Sequence, residues 1–302
     1  MGIEQESSVT LQVLTNEQIE QYMTTGFIVI PDVISPEDIA ELRAVTDDFV
    51  EQSRGVTAHN DVYDLESNHS AARPLLRRIK TPDRWHPAYA RMVRHPFIIA
   101  ALEDLWGTGV RYQVSKLNMK VAGYGSPLEW HQDWAFYPHT NENLAVVGIM
   151  IDDIDEENGA MMAIPGSHRG PIEDHSYDGV FTGGIDATKS SVDFTSAVSV
   201  CGTAGSISIH HVRAIHGGPA NVSGRDRRYL LQQYRASDTW PLMEHVDWDE
   251  WRANLLSGEE VWTPRMEALP VRLPLPEPTH GGSIYENQRD LKSRYFDDAP
   301  TG

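Results

Sequence analysis

Trp130-His131-Gln132-Asp133-Trp134 is the stretch whose reading decides what the rest of the chain must build. Read as a β-strand, it sends the side chains of His131 and Asp133 to one face, because strand side chains alternate with a period of two. An imidazole and a carboxylate then converge on one point. His-x-Asp alone reads equally well as a solvated turn or a satisfied core histidine, so the pair needs a third member before it means anything.

That member is His216, in His216-Gly217-Gly218-Pro219-Ala220-Asn221, followed by the basic cluster Arg225-Asp226-Arg227-Arg228 and an apolar strand. Two histidines and one carboxylate match the facial triad of non-haem Fe(II) sites, which leaves coordination positions open for a cosubstrate and dioxygen. His210 and His211 compete with His216 for the third place on residue type alone.

Taken in order, His131-Gln132-Asp133, Asn158-Gly159, Pro165-Gly166-Ser167-His168, and His216 with Arg227 eleven positions later resemble the phytanoyl-CoA dioxygenase family of Fe(II)/2-oxoglutarate oxygenases. The resemblance runs from about Thr15 to about Asp238. It implies a mainly β fold with flanking helices, a double-stranded β-helix of the jelly-roll, cupin-like kind. It favours His216 over His210 and His211 as the third ligand and makes His168 a structural hydrogen-bonding residue. The implied cofactors are Fe(II), 2-oxoglutarate and O2, and the implied reaction oxidises a C–H bond of a small organic molecule, by default hydroxylation, with release of succinate and CO2. Desaturation, epoxidation and ring rearrangement use the same residues. Halogenation is disfavoured, because halogenating relatives replace the carboxylate ligand and Asp133 is intact.

The cosubstrate is a dicarboxylate, and its far end needs a fixed cation. Arg227 is the residue for that, since a guanidinium binds a carboxylate through two parallel hydrogen bonds. In such relatives the strand before the motif supplies polar contacts, which points to Asn118 for the cosubstrate and Lys116 for the substrate, both on one face of Val110–Lys120. One position departs from the pattern. Relatives often place Ser or Thr two residues after the distal histidine to help hold the carboxylate, and this chain has Gly218.

Bulk properties bound the reading. A chain of 302 residues with 40% hydrophobic residues, 8 Trp, 11 Tyr and 7 Phe builds a sizeable core. The net charge of -19 argues against nucleic acid or an anionic membrane as a partner. Cys201 is the single cysteine, so no intrachain disulfide forms, and a reducing, cytoplasmic setting is expected. No signal peptide or membrane span is evident. A small-molecule substrate and a monomer or homodimer are the expected partners.

Along the chain, residues 1–14 read as a polar N-terminal segment, 15–239 as a single jelly-roll oxygenase domain with N-terminal helices, and 240–302 as an extension packed on it. Thr15-Asn16-Glu17-Gln18 is a capping box opening a short helix that Gly26 ends. Phe27–Ile30, closed by Pro31, suits an edge strand. Ser35-Pro36-Glu37 opens a second helix, and Pro96–Trp106 carries the apolar stripe of another. Residues 51–70 read as an irregular connection. Leu144–Ile151 is apolar throughout, the mark of a strand buried on both sides, and Asn158-Gly159 signals a hairpin back through Ala160–Ile164. Residues 170–196, rich in Gly, Asp, Ser and Thr, read as a loop over the site mouth. The prolines at 270, 274, 276 and 278 read as an extended tail.

Alternation beyond the motif turns Tyr137 inward, and along the strand after Arg227 it turns Tyr229, Leu231, Gln233 and Arg235 inward. Tyr137, Lys116 and Arg235 are therefore the substrate-side candidates. His139 reads as an ordinary surface residue. Two rivals from other classes remain: a non-catalytic jelly-roll binding protein, and a Zn-dependent hydrolase or isomerase on the same ligands. Neither has a task for an arginine clamp beside an open metal face.

Overall fold

The computed structural model describes residues 11–243, 245–277 and 283–298. Residues 1–10 of the polar N-terminal segment and Pro278 of the proline-rich tail lie outside them. Among the described residues thirteen strands follow in chain order: β1 Phe27–Ile30, β2 Tyr63–Leu65, β3 Leu76–Lys80, β4 Val110–Lys120, β5 Leu128–His131, β6 Leu144–Met150, β7 Met161–Ala163, β8 Ser176–Tyr177, β9 Val180–Phe181, β10 Val198–Val200, β11 Ile207–His211, β12 His216–Gly218 and β13 Arg227–Ala236. A seven-stranded sheet has the order β1-β11-β6-β13-β4-β3-β2, and a four-stranded sheet the order β10-β7-β12-β5. All named pairings are antiparallel.

The period of two divides the large sheet between two cores. Ile28, Leu117, Val147, Ile149, Ile209, Leu230 and Tyr234 pack against Tyr22, Ile39, Leu42, Tyr89, Ile98 and Leu102 from the helical layer. Val146, Met150, Tyr229 and Leu231 join Met161, Ala163 and Val200 of the small sheet. Two antiparallel sheets enclosing one interior are the double-stranded β-helix of the jelly roll. β6 lies between both cores, which explains why all seven of its residues are buried.

Local signals hold at the helix ends. Thr15 and Gln18 form a reciprocal capping box at the start of Asn16–Thr25, and Gly26 ends that helix in the left-handed region at φ 86°. Ser35 caps Pro36–Gln52, and Pro96–Trp106 is helical over its expected range. β1 is an edge strand, as Pro31 requires.

Three expectations are corrected. Asn158-Gly159 does not close a hairpin: β6 pairs with β11 and β13, while β7 pairs with β10 and β12, so this turn carries the chain from one sheet to the other. Residues 51–70 are not wholly irregular, since β2 extends the large sheet through β3. Residues 170–196 line neither cavity described below; they pack behind the motif, with Ile185 N donating to Trp130 O at 2.7 Å and Gln132 N to His175 Nε2 at 2.8 Å. Among the described residues no helix is long and apolar enough to cross a membrane.

Candidate metal centre

β5 ends at His131, and Asp133 opens a 3-10 turn over Asp133–Ala135, so the strand stops three residues short of the end of the Trp130–Trp134 stretch. The two side chains converge nonetheless. β12 runs antiparallel to β5 with His216 directly opposite His131, and the imidazole centroids lie 4.1 Å apart. One donor atom from each of His131, Asp133 and His216 falls within 4.8 Å of the others, all three residues being buried.

Each imidazole has its second nitrogen fixed by backbone: Nδ1 of His131 faces Glu129 O at 2.9 Å and Nδ1 of His216 faces Ala214 O at 3.0 Å. That leaves Nε2 of both rings toward the shared point, as a metal site requires. Burial holds both histidines well below their ordinary pKa, His216 down to about 4. Burial pushes the Asp133 carboxyl up, but the neighbouring His216 and His210 imidazoles and the Lys116 ammonium outweigh it and hold it below the usual carboxylate range. Two neutral imidazoles and an ionised carboxylate are the protonation states that bind a divalent cation.

His210 lies beside the triad, with Nε2 3.5 Å from Asp133 Oδ2. His211 faces away, accepting from Arg213 N and lying 5.2 Å from the His168 ring. His168 Nε2 meets Met23 O at 3.2 Å, a contact between the small sheet's turn and the first helix.

The triad opens into a cavity lined by Lys116, Asn118 and Lys120 of β4, Arg227, Tyr229 and Leu231 of β13, and Tyr285. Arg227 is 4% exposed and its Nε has no partner. The Asn118 carbonyl oxygen is likewise buried without a partner. A second cavity shares Lys116, Val146 and Leu231 with the first and adds Arg78, Lys80, Thr81, Tyr137 and Gln233. Lys116 and Tyr137 therefore line one cavity that adjoins the triad's own.

Arg235 does not reach either cavity. It follows Gln233 on the same face of β13, but Trp251 of the C-terminal extension plugs that end of the sandwich, 4.2 Å from the Arg111 guanidinium and 4.5 Å from that of Arg235. Arg235 instead meets His139 Nε2 at 2.8 Å. His139 is buried, with its pKa pushed down to about 3 by burial and Arg235, which corrects its surface reading.

A family model described as Phytanoyl-CoA dioxygenase (PhyH) matches residues 22–229. The chain belongs to the phytanoyl-CoA dioxygenase family. It is 35% identical over 284 residues to a probable alpha-ketoglutarate-dependent hypophosphite dioxygenase of Stutzerimonas stutzeri, covering 93% of this chain and 99% of the relative. It is 26% identical over 239 residues to the peroxisomal phytanoyl-CoA dioxygenase of Rattus norvegicus, covering 75% of this chain and 70% of that one. Among solved structures, EctD from S. alaskensis with bound Fe aligns with a TM-score of 0.65 at 20% identity, over 86% of this chain and 92% of that one, which supports the jelly-roll fold.

The protein is thus an Fe(II)/2-oxoglutarate-dependent dioxygenase acting on a small molecule, with His131, Asp133 and His216 as its facial triad. The donor set fits iron, and the orphaned Nε–H of Arg227 fits an acidic cosubstrate.

Several lining residues carried no assignment from sequence. Lys120 shares a strand face with Lys116 and Asn118, so alternation alone was enough to nominate it. Arg78 and Lys80 sit on a strand with no evident period. Tyr285 lies far along the C-terminal extension, and nothing in its neighbourhood points to the cavity.

Proposed function

We propose that this dioxygenase oxidises a small oxyanion, with hypophosphite as the first compound to test. The observation that carries the proposal is Lys116. Its ammonium borders both cavities and makes no hydrogen bond or ion pair to a side chain among the described residues, while Arg78 and Lys80 share the single carboxylate of Asp64, at 2.6 and 2.9 Å. Three cations, two of them sharing Asp64 and the third facing an Asp133 that belongs to the triad, favour a bound anion, despite the acidic surface. Burial lowers the Lys116 pKa, Asp133 opposing, so an anionic ligand adds the counter-charge that the site lacks.

Sequence supports the same choice. The 284-residue alignment with the hypophosphite enzyme is too long to exclude the C-terminal extension, which contributes Tyr285 to the cavity wall. Iron(II) with 2-oxoglutarate and dioxygen supplies an oxidant able to take hydrogen from an unactivated bond. The chain's residues orient what meets it. Arg227 and Asn118 hold the cosubstrate, and Lys116, with Tyr137 and Arg78, holds the substrate oxygens so that its hydrogen faces the triad. A P–H bond of hypophosphite becomes P–OH, giving phosphite, while 2-oxoglutarate becomes succinate and CO2.

The apolar wall of Val114, Val146 and Leu231 favours a second reading, C–H hydroxylation of a small organic acid. A monomer or homodimer in a reducing cytoplasm suits either reading, since Fe(II) must stay reduced. Calorimetric titration of the Fe(II)- and 2-oxoglutarate-loaded protein with hypophosphite, without oxygen, tests the proposal. Binding that weakens at least about tenfold in Lys116→Met supports it. Absence of binding to the wild type refutes it.

A further inference from the structure

Lys120 and Arg227 are directly opposite each other in the β4–β13 ladder and enter the same cavity. Both are buried, at 3% and 4% exposure. Like charges opposite each other on a sheet are destabilising, and a buried cation without a counter-charge costs more still. Among the described residues neither pairs with a carboxylate. Lys120 Nζ donates only to backbone, to Gly159 O at 3.2 Å and to Pro219 O. The Arg227 guanidinium lies 5.5 Å from the Tyr229 ring centroid.

The surrounding backbone is shaped to admit the lysine. A Cβ on Gly218 would lie 3.1 Å from Nζ, and one on Gly159, itself at φ +77°, would lie 2.9 Å from the Lys120 Cδ. The room left by the missing side chain at position 218 is therefore taken up by the ammonium. Two unneutralised cations side by side at one end of a cavity, with the triad in its wall, define a place for one carboxylate.

We infer that Lys120 is a second cationic contact for the far carboxylate of 2-oxoglutarate, sharing it with Arg227 and standing in for the hydroxyl that Gly218 lacks. This rests on the reading of Arg227 as the cosubstrate clamp.

The test compares 2-oxoglutarate with 2-oxopentanoate, which has the same carbon chain without the far carboxylate, by anaerobic calorimetry on the Fe(II)-loaded protein. The wild type prefers 2-oxoglutarate. Lys120→Met and Lys120→Gln each reduce that preference by about tenfold or more, while affinity for 2-oxopentanoate stays within about threefold. The glutamine variant keeps a donor for the loop carbonyls, so folding is preserved where methionine disturbs it. An unchanged preference in both variants overturns the inference. Arg227→Met separates the two claims: if it abolishes the preference and the Lys120 variants do not, only Lys120 is misassigned, whereas if it too leaves the preference intact, the clamp reading fails.

Discussion

His131 and His216 sit directly opposite each other on antiparallel strands of the small sheet, so the two imidazole ligands are set by one backbone register. Asp133 completes the triad from a turn just beyond that ladder. Substituting either side chain leaves the ladder's hydrogen bonds in place. His216→Ala is expected to keep the fold, by circular dichroism, and to lose iron affinity by more than the roughly 10–100-fold that a lost supporting contact costs. Anaerobic Fe(II) titration measures it; near-normal affinity would reassign the third ligand, with His210 first in line.

Acid should weaken the fold through histidines outside the triad. Burial holds His139 and His211 down to about 3 and His175 down to about 4, below the value near 6.5 of an unfolded chain. Their stabilising effect is fully present above about pH 6.5 and is lost as pH falls through the folded values, because the unfolded chain takes protons first. Each contributes a slope of roughly 1.4 kcal/mol per pH unit in that window. Urea midpoints measured at pH 7.5 and pH 5 should fall, and flat midpoints would show that these imidazoles are not shielded.

Trp130 is fully buried on the side of the motif strand away from the triad, its ring 5.4 Å from Phe194 and 5.1 Å from Phe296. It joins the motif to Tyr295 and Phe296 of the C-terminal extension. Trp130→Ala should cost about 3–5 kcal/mol in chemical denaturation. A loss under about 1 kcal/mol would mean that this cluster relaxes around the gap.

Tyr285 closes the cavity near Arg227 and lies 4.9 Å above the Arg77 guanidinium. Removing the ring admits water and raises the local dielectric, which weakens charged contacts. Tyr285→Ala should therefore raise the KM for 2-oxoglutarate several-fold, with a smaller change in kcat. An equal fall in kcat with KM unchanged would place its effect elsewhere.

Much of the site was legible because it depends on short-range geometry. The triad follows from His131-x-Asp133 and the context of His216, and strand alternation put Lys116, Asn118 and Lys120 on one face. Relations set by sheet membership were not legible. Asn158-Gly159 has the local chemistry of a hairpin, yet β6 and β7 belong to different sheets, a choice made by long-range pairing. Arg235 lies on the inward face that alternation assigns, and only Trp251, sixteen residues later, decides that this part of the face is plugged. Tyr285 carries no local signal, since its role comes from where the C-terminal extension returns to the sandwich.

The most direct measurement is coupled turnover with hypophosphite under air, with succinate followed by chromatography and phosphite by phosphorus NMR. Succinate and phosphite formed in equal amounts by the wild type, and both lost in His131→Ala, are the predicted result. Succinate formation that hypophosphite does not stimulate, with no phosphite produced, would contradict the oxyanion assignment.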